Sequence, residues 1–191
     1  MLPRRAAPWV VFAAVACSRD KGGRGTEGAR TEAFATVTAE QLRANVRGMN
    51  AKAVLVNAWA TWCDSCQHEL PMLEKLTDRW APAGVRVLLV SVDEPDDRAR
   101  AKGFLADNAI HLTSYLASRP LGPFKAGLNP RWPGMLPASF LFDGAGKLRY
   151  FWGGEAFEGE IVPIVEGLLA GKNIDGEARF DLAPGQTSDP R

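Results

Sequence analysis

Cysteine is scarce in this chain, with 3 in 191 residues, too few to hold a fold together by disulfides alone. Histidine is scarcer, at 2, whereas a structural zinc centre needs four ligands. A zinc held by Cys63 and Cys66 would have to recruit His68, His111 or Cys17, and none of these has a second paired spacing. Charge of one sign is missing too. Lys and Arg number 23 against 22 for Asp and Glu, a net charge of +1, and no basic block marks a nucleic-acid partner. There is no internal repeat. The apolar run at 9–16 is too short to cross a bilayer as a helix.

Hydrophobic residues make up 46% of the chain, enough for one packed domain with appendages. Arg4 and Arg5 precede the run at 9–16, and Ala14-Val15-Ala16-Cys17 closes it with small residues before a cysteine. That is the layout of a signal peptide over 1–17. It also resembles a bacterial lipobox, in which Cys17 would be the lipid-bearing first residue of the mature protein. Residues 18–33 are rich in Gly, Arg and Lys without apolar periodicity, and read as a flexible tether. An ordered domain is expected over 34–172, and a loosely held polar tail over 173–191.

Within the domain, Thr38-Ala39-Glu40-Gln41 is a helix-capping signature, followed by a short helix. Residues 53–59 form a near-continuous apolar strand of the kind buried on both faces of a sheet. Residues 64–80 turn helical, with Cys66, Leu70, Leu73, Leu76 and Trp80 on one side and Pro71 expected to kink the element. A second strand over 85–92 completes a βαβ unit. Further expectations are a helix from Pro95 to about Asn108, a short strand at 110–115, at most a turn or two of helix over 118–128, and a loop over 129–137. A hairpin follows, with strands at 138–142 and 148–152, then a last helix over 158–170. The class is α/β.

The chemistry sits at Trp59-Ala60-Thr61-Trp62-Cys63-Asp64-Ser65-Cys66. A cysteine where a buried strand passes into a helix meets outward-pointing backbone N–H groups. The helix dipole stabilises a thiolate there and draws the thiol pKa down from about 8.5. Cys66, one turn on, can bond to Cys63 without breaking the helix. Cys63 would attack a substrate disulfide, and Cys66 would then attack Cys63 and release the reduced substrate.

The combination Trp59-Ala60-Thr61-Trp62-Cys63-x-x-Cys66, followed by Glu69-Leu70-Pro71, resembles the thioredoxin superfamily, and within it the TlpA/ResA-like branch of membrane-tethered extracytoplasmic thiol–disulfide oxidoreductases. The resemblance covers about 54–170. It implies a thioredoxin-like fold, a central mixed β-sheet flanked by helices. It implies that Pro137 is the family's cis-proline facing the cysteine pair, and that the backbone before it, at Leu136, pairs with substrate. Glu69 matches a glutamate near the cysteines, where a carboxylate could take the proton from Cys66. Asn57 stands where thioredoxins carry a buried aspartate, and is read as a satisfied core polar group. Trp62 is expected to cover the exposed sulfur, Trp59 to belong to the core, and Trp132 to line the groove near Pro137. Asp64-Ser65 departs from the family's frequent proline-containing pair, and Asp64 opposes a thiolate at Cys63.

The leading reading is an envelope or periplasmic oxidoreductase, held to the membrane by lipid on Cys17, acting as a monomeric reductant of protein disulfides without a cofactor. Its implied partners are protein thiol/disulfide substrates, of the cytochrome c maturation or copper-protein and oxidase assembly type, and a membrane thiol-transfer electron donor. A copper-handling chaperone using Cys63 and Cys66 as soft ligands is the alternative. A peroxidase would call for Thr or Ser three residues before the reactive cysteine in a proline-led loop, and Ala60 stands there instead.

Overall fold

The computed structural model describes residues 34–179. In chain order its elements are β1 (Thr36–Val37), α1 (Ala39–Gly48), β2 (Ala53–Trp59), α2 (Asp64–Trp80), β3 (Val85–Ser91), α3 (Arg98–Asp107), β4 (Thr113–Ala117), α4 (Leu121–Leu128), β5 (Ala138–Asp143), β6 (Leu148–Gly153), α5 (Glu158–Leu169) and β7 (Gly176–Arg179). The strands form one sheet in the order β1-β4-β3-β2-β5-β6-β7. β2 lies at its centre with all seven residues buried, as its apolar run requires. It pairs in parallel with β3 and antiparallel with β5. The sheet is therefore mixed, with a βαβ unit on one side of β2 and a hairpin on the other.

Local chemistry sets the helix ends. Thr38 accepts from the Gln41 N–H at 3.1 Å, and the Gln41 side chain accepts from the Thr38 N–H at 2.8 Å, a reciprocal pair that satisfies two otherwise unpaired donors. α2 buries Cys66, Glu69, Leu70, Leu73, Leu76 and Trp80, a stripe at spacings of three and four. Leu70 and Leu73 are fully buried, each contributing about 2 kcal/mol of apolar burial. The helix continues through Pro71. α4 and α1 pack closely at Gly127, where an added Cβ would lie 2.5 Å from that of Ala39.

Two segments differ from expectation. The fourth strand begins at Thr113 rather than residue 110, because its place is set by pairing of Thr113 to Leu116 with Leu88 to Ser91. Ile110 and Leu112 are buried without belonging to it. α4, at eight residues, is about the two turns expected, with Pro123 in its first turn, where a missing N–H removes no helical bond. The segment expected to begin a loose tail instead supplies β7, parallel to β6. Its anchors are polar and invisible to hydrophobic patterning: Asp175 accepts from Arg149 and Lys147, and Glu177 pairs with Arg131. The expected signal peptide and tether, Cys17, and the remainder of the tail lie outside the described residues. Among the described residues no helix is long and apolar enough to cross a membrane.

The topology gathers four chain segments at one end of the sheet. β2, β3 and β6 all finish there, and β5, running the other way, starts there.

Candidate active site

β2 ends at Trp59, and four residues later α2 begins with Cys63 as its N-cap. Cys63 and Cys66 form a disulfide with Cα atoms 5.3 Å apart. The Cys63 sulfur also accepts from the backbone N–H of Cys66 at 3.2 Å, so it occupies the place a capping oxygen would take. Backbone N–H groups at a helix start favour negative charge. The Ser65 hydroxyl lies 3.6 Å from the same sulfur, and Asp64 is exposed beside it. Cys63 is 7% exposed and Cys66 fully buried. An incoming sulfur therefore meets Cys63 first. Trp62, at 62% exposure, projects next to it.

The Leu136–Pro137 peptide is cis. Ala138 pairs with Ala58, so Pro137 lies level with Trp59, where the loop to Cys63 begins. The Pro137 carbonyl is taken by the Gly154 N–H at 2.9 Å, and Gly154 has φ +106°, a conformation that favours glycine. The Leu136 backbone forms no hydrogen bond among the described residues. Trp132 does not line an open groove. It is buried, packs edge-on against Phe140 at 5.1 Å, and its indole N–H donates to the Met135 carbonyl at 2.8 Å, bracing the proline loop from within. Trp59 is core, 5.6 Å from Phe104.

Glu69, one turn beyond Cys66, is 2% exposed. Neither of its carboxyl oxygens has a hydrogen-bond partner at conventional distance. Burial is the largest influence on it and raises its pKa from 4.5 to about 8. The nearby Asn57 amide favours the charged form, Glu155 opposes it, and the Ala156 N–H and Ser139 hydroxyl favour it more weakly. Burial wins because none of these donors makes a full bond. Asn57 is half of a satisfied core group: its amide donates to Ser139 Oγ at 3.0 Å, while its Oδ1 has no partner. The structure brings Cys63, Cys66, Glu69, Trp62, Leu136 and Pro137 to one end of the sheet. Sequence reasoning missed Ser139, Glu155 and Ala156 around Glu69: Ser139 arrives there by pairing with Asn57, and Glu155 and Ala156 follow the end of β6.

The AhpC/TSA family model matches residues 28–151. Thiol-disulfide oxidoreductase ResA of Bacillus thuringiensis (strain Al Hakam) is 26% identical over 117 residues, covering 60% of this chain and 62% of that protein. Thiol:disulfide interchange protein DsbE of Yersinia pestis is 35% identical over 119 residues, covering 60% of this chain and 58% of that protein. The match therefore spans about three-fifths of these curated relatives. Among solved structures, a thiol:disulfide interchange protein of the thioredoxin family from Chlorobium tepidum TLS is similar with a TM-score of 0.54 and 26% identity, over 66% of this chain and 83% of that one.

Proposed function

The chain belongs to the AhpC/TSA family with a thioredoxin-like fold, and we propose that it is a thiol–disulfide oxidoreductase whose Cys63–Cys66 couple exchanges two electrons with protein substrates. One observation carries this reading: a disulfide whose slightly exposed member caps a helix while its partner is fully enclosed. In the reducing direction, the Cys63 thiolate attacks a substrate disulfide. A Cys63–substrate bond forms, and one substrate sulfur leaves as thiolate and takes up a proton. Cys66 gives its proton to the Glu69 carboxylate and attacks the Cys63 sulfur. The second substrate sulfur departs as a thiolate and takes up a proton; the two electrons of the dithiol leave with the two substrate thiols, and Cys63–Cys66 is left oxidised as a disulfide. Trp62 and the Leu136–Pro137 segment form the docking surface, with the open Leu136 backbone available to an extended peptide.

The cellular setting is also part of the proposal. Residues 1–17 act as an export signal, Cys17 carries the lipid, and the domain works as a reductant in the cell envelope. Electrons reach it from a membrane thiol-transfer protein. Its clients are cysteines of cytochrome c maturation or of copper-protein and oxidase assembly. The support is the signal-like N-terminus and the kinship to ResA and DsbE.

The test is the equilibrium reduction potential of the full chain against glutathione and dithiothreitol buffers, together with turnover of a protein disulfide. Cys63→Ala should remove turnover, and Cys66→Ala should accumulate mixed disulfides. A potential near about −120 mV, that of a strong oxidant, would reverse the direction of electron flow. Stoichiometric Cu(I) binding without thiol exchange would favour the copper-handling alternative.

A further inference from the structure

Asp93 is fully buried, and the exchange chemistry makes no use of it. Its carboxyl group lies just beyond the end of β3, beside the four residues that turn β2 into α2. The Thr61 N–H donates to both carboxyl oxygens at 3.1 Å, and the Thr61 hydroxyl donates to Oδ1 at 2.7 Å. The Ser91 hydroxyl donates to Oδ2 at 2.7 Å and accepts from the Asp93 N–H at 3.0 Å, which fixes the carboxyl group before Thr61 meets it. The remaining polar group of Thr61, its carbonyl, accepts from the Gln67 side-chain amide at 3.1 Å. Thr61 is thus gripped from two elements, β3 on one side and α2 on the other. The Val92 N–H donates to the Trp59 carbonyl at 2.9 Å, tying the two strand ends together. Arg100, half exposed, stands 3.9 Å from the carboxyl group, a contact too long and too wet to contribute much.

Resting on the oxidoreductase reading above, we propose that Asp93, Thr61 and Gln67 form a clamp that positions Cys63 for reaction. Only Trp62 separates Thr61 from Cys63. The Cys63 N–H donates to the Ala60 carbonyl at 3.2 Å, and the Cys63 carbonyl accepts from the Gln67 N–H at 3.3 Å. The residues on both sides of Cys63 are therefore held by the same small network. A sulfur gains from the helix N–H groups only while it stays aligned with them, because such bonds weaken steeply with angle. A connection between β2 and Cys63 that could drift would lose that alignment. With Thr61 held at all three of its polar groups, the drift is prevented. Trp62, between two fixed residues, is left pointing outward.

These are positioning residues, and a merely stabilising anchor would look different. In the reduced full chain, the alkylation rate of Cys63 is followed against pH by iodoacetamide labelling, read on the Cys63 peptide by mass spectrometry, alongside the thermal midpoint. Thr61→Val keeps the shape and the charge but removes the 2.7 Å bond. The clamp requires its alkylation midpoint to move to higher pH, with a rate at pH 7 about fivefold lower, the worth of one net hydrogen bond. Gln67→Ala should shift the same way, and Thr61→Ser should restore the parent profile. Asp93→Asn, which could fail to fold, is not needed. An unchanged or lower midpoint in Thr61→Val and Gln67→Ala overturns the clamp, whatever happens to the thermal midpoint. So does a Thr61→Ser profile that follows Thr61→Val. A parent chain with no disulfide turnover sinks the functional reading instead, and the labelling profile still judges the clamp.

Discussion

Asp93 and Glu69 are equally buried, at 0% and 2% exposure, and both stand at the end of the sheet that carries the cysteines. Asp93 lies on the β3 side of β2. Glu69 lies on the β5 side, near Ser139 and Ala156. Asp93 receives bonds from the Thr61 N–H, the Thr61 hydroxyl and the Ser91 hydroxyl. Glu69 receives none at conventional distance, and its pKa rises to about 8. Burial alone does not decide what a carboxyl group does; the donors around it do. A carboxyl group surrounded by donors holds a loop. One deprived of them can hold or give up a proton near neutral pH, as general acid–base work requires.

The largest effect should come from removing the satisfied acid. Asp93→Ala leaves two donors on Thr61 and one on Ser91 without their acceptor, at a cost of about 4 kcal/mol. Urea denaturation at pH 7 checks this. A loss under about 1 kcal/mol would mean that water replaces the carboxylate freely, and the contrast between the two acids would collapse.

Glu69 should behave in the opposite sense. Its folded pKa of about 8 lies above the ordinary 4.5. Between those values the unfolded chain binds fewer protons than the native one, so stability falls as pH rises through that window and is level on either side. Glu69→Gln should flatten the curve, matching the parent at pH 4 and exceeding it at pH 9 by about 2 kcal/mol, a fraction of the full shift once relaxation is allowed for. Urea midpoints across pH 4–9 decide it. The same variant should resolve mixed disulfides slowly, since Cys66 loses its proton acceptor. A stabilised variant with undiminished resolution would keep the burial argument and remove Glu69 from the chemistry.

The two acids also differ in how far the chain alone revealed them. Glu69 stands out in the sequence through the local motif Glu69-Leu70-Pro71 that carries the family resemblance, and the structure buries it beside Leu70 and Leu73. The β2 run and the Thr38–Gln41 cap were legible for the same reason: each is a pattern within a few residues. Asp93 meets Thr61 across 32 residues, and Asn57 meets Ser139 across 82. No local period encodes such a contact. A hint existed in Ser91-Val92-Asp93, where two polar residues alternate out of an apolar strand and so share a face. β7 was hidden because its four residues, Gly-Glu-Ala-Arg, pair by backbone with β6 and carry almost no apolar signal. The shift in β4 is a boundary effect of the same origin, set by a neighbouring strand.

The smallest effect, and the finest probe of the comparison, is Ser139→Ala. Ser139 holds the Asn57 amide at 3.0 Å and so keeps that donor from turning fully towards Glu69. Removing the hydroxyl leaves a buried N–H group short of an acceptor, at a cost of about 1 kcal/mol. The two Glu69 oxygens are buried without a partner, and the Asn57 amide already acts on that carboxyl group. If Asn57 swings to them, Glu69 gains a donor and begins to resemble Asp93. Its pKa should fall from about 8 towards the ordinary range, because a bond to the charged form favours that form. The direct contribution of Ser139 to Glu69 is the weakest of those acting on it, so its loss should not reverse the sign. The pH window over which stability falls should then close at a lower pH in Ser139→Ala than in the parent, measured by the same urea series. A window that ends at the same pH, with the 1 kcal/mol loss intact, would show that Asn57 stays in place and that burial alone keeps Glu69 protonated.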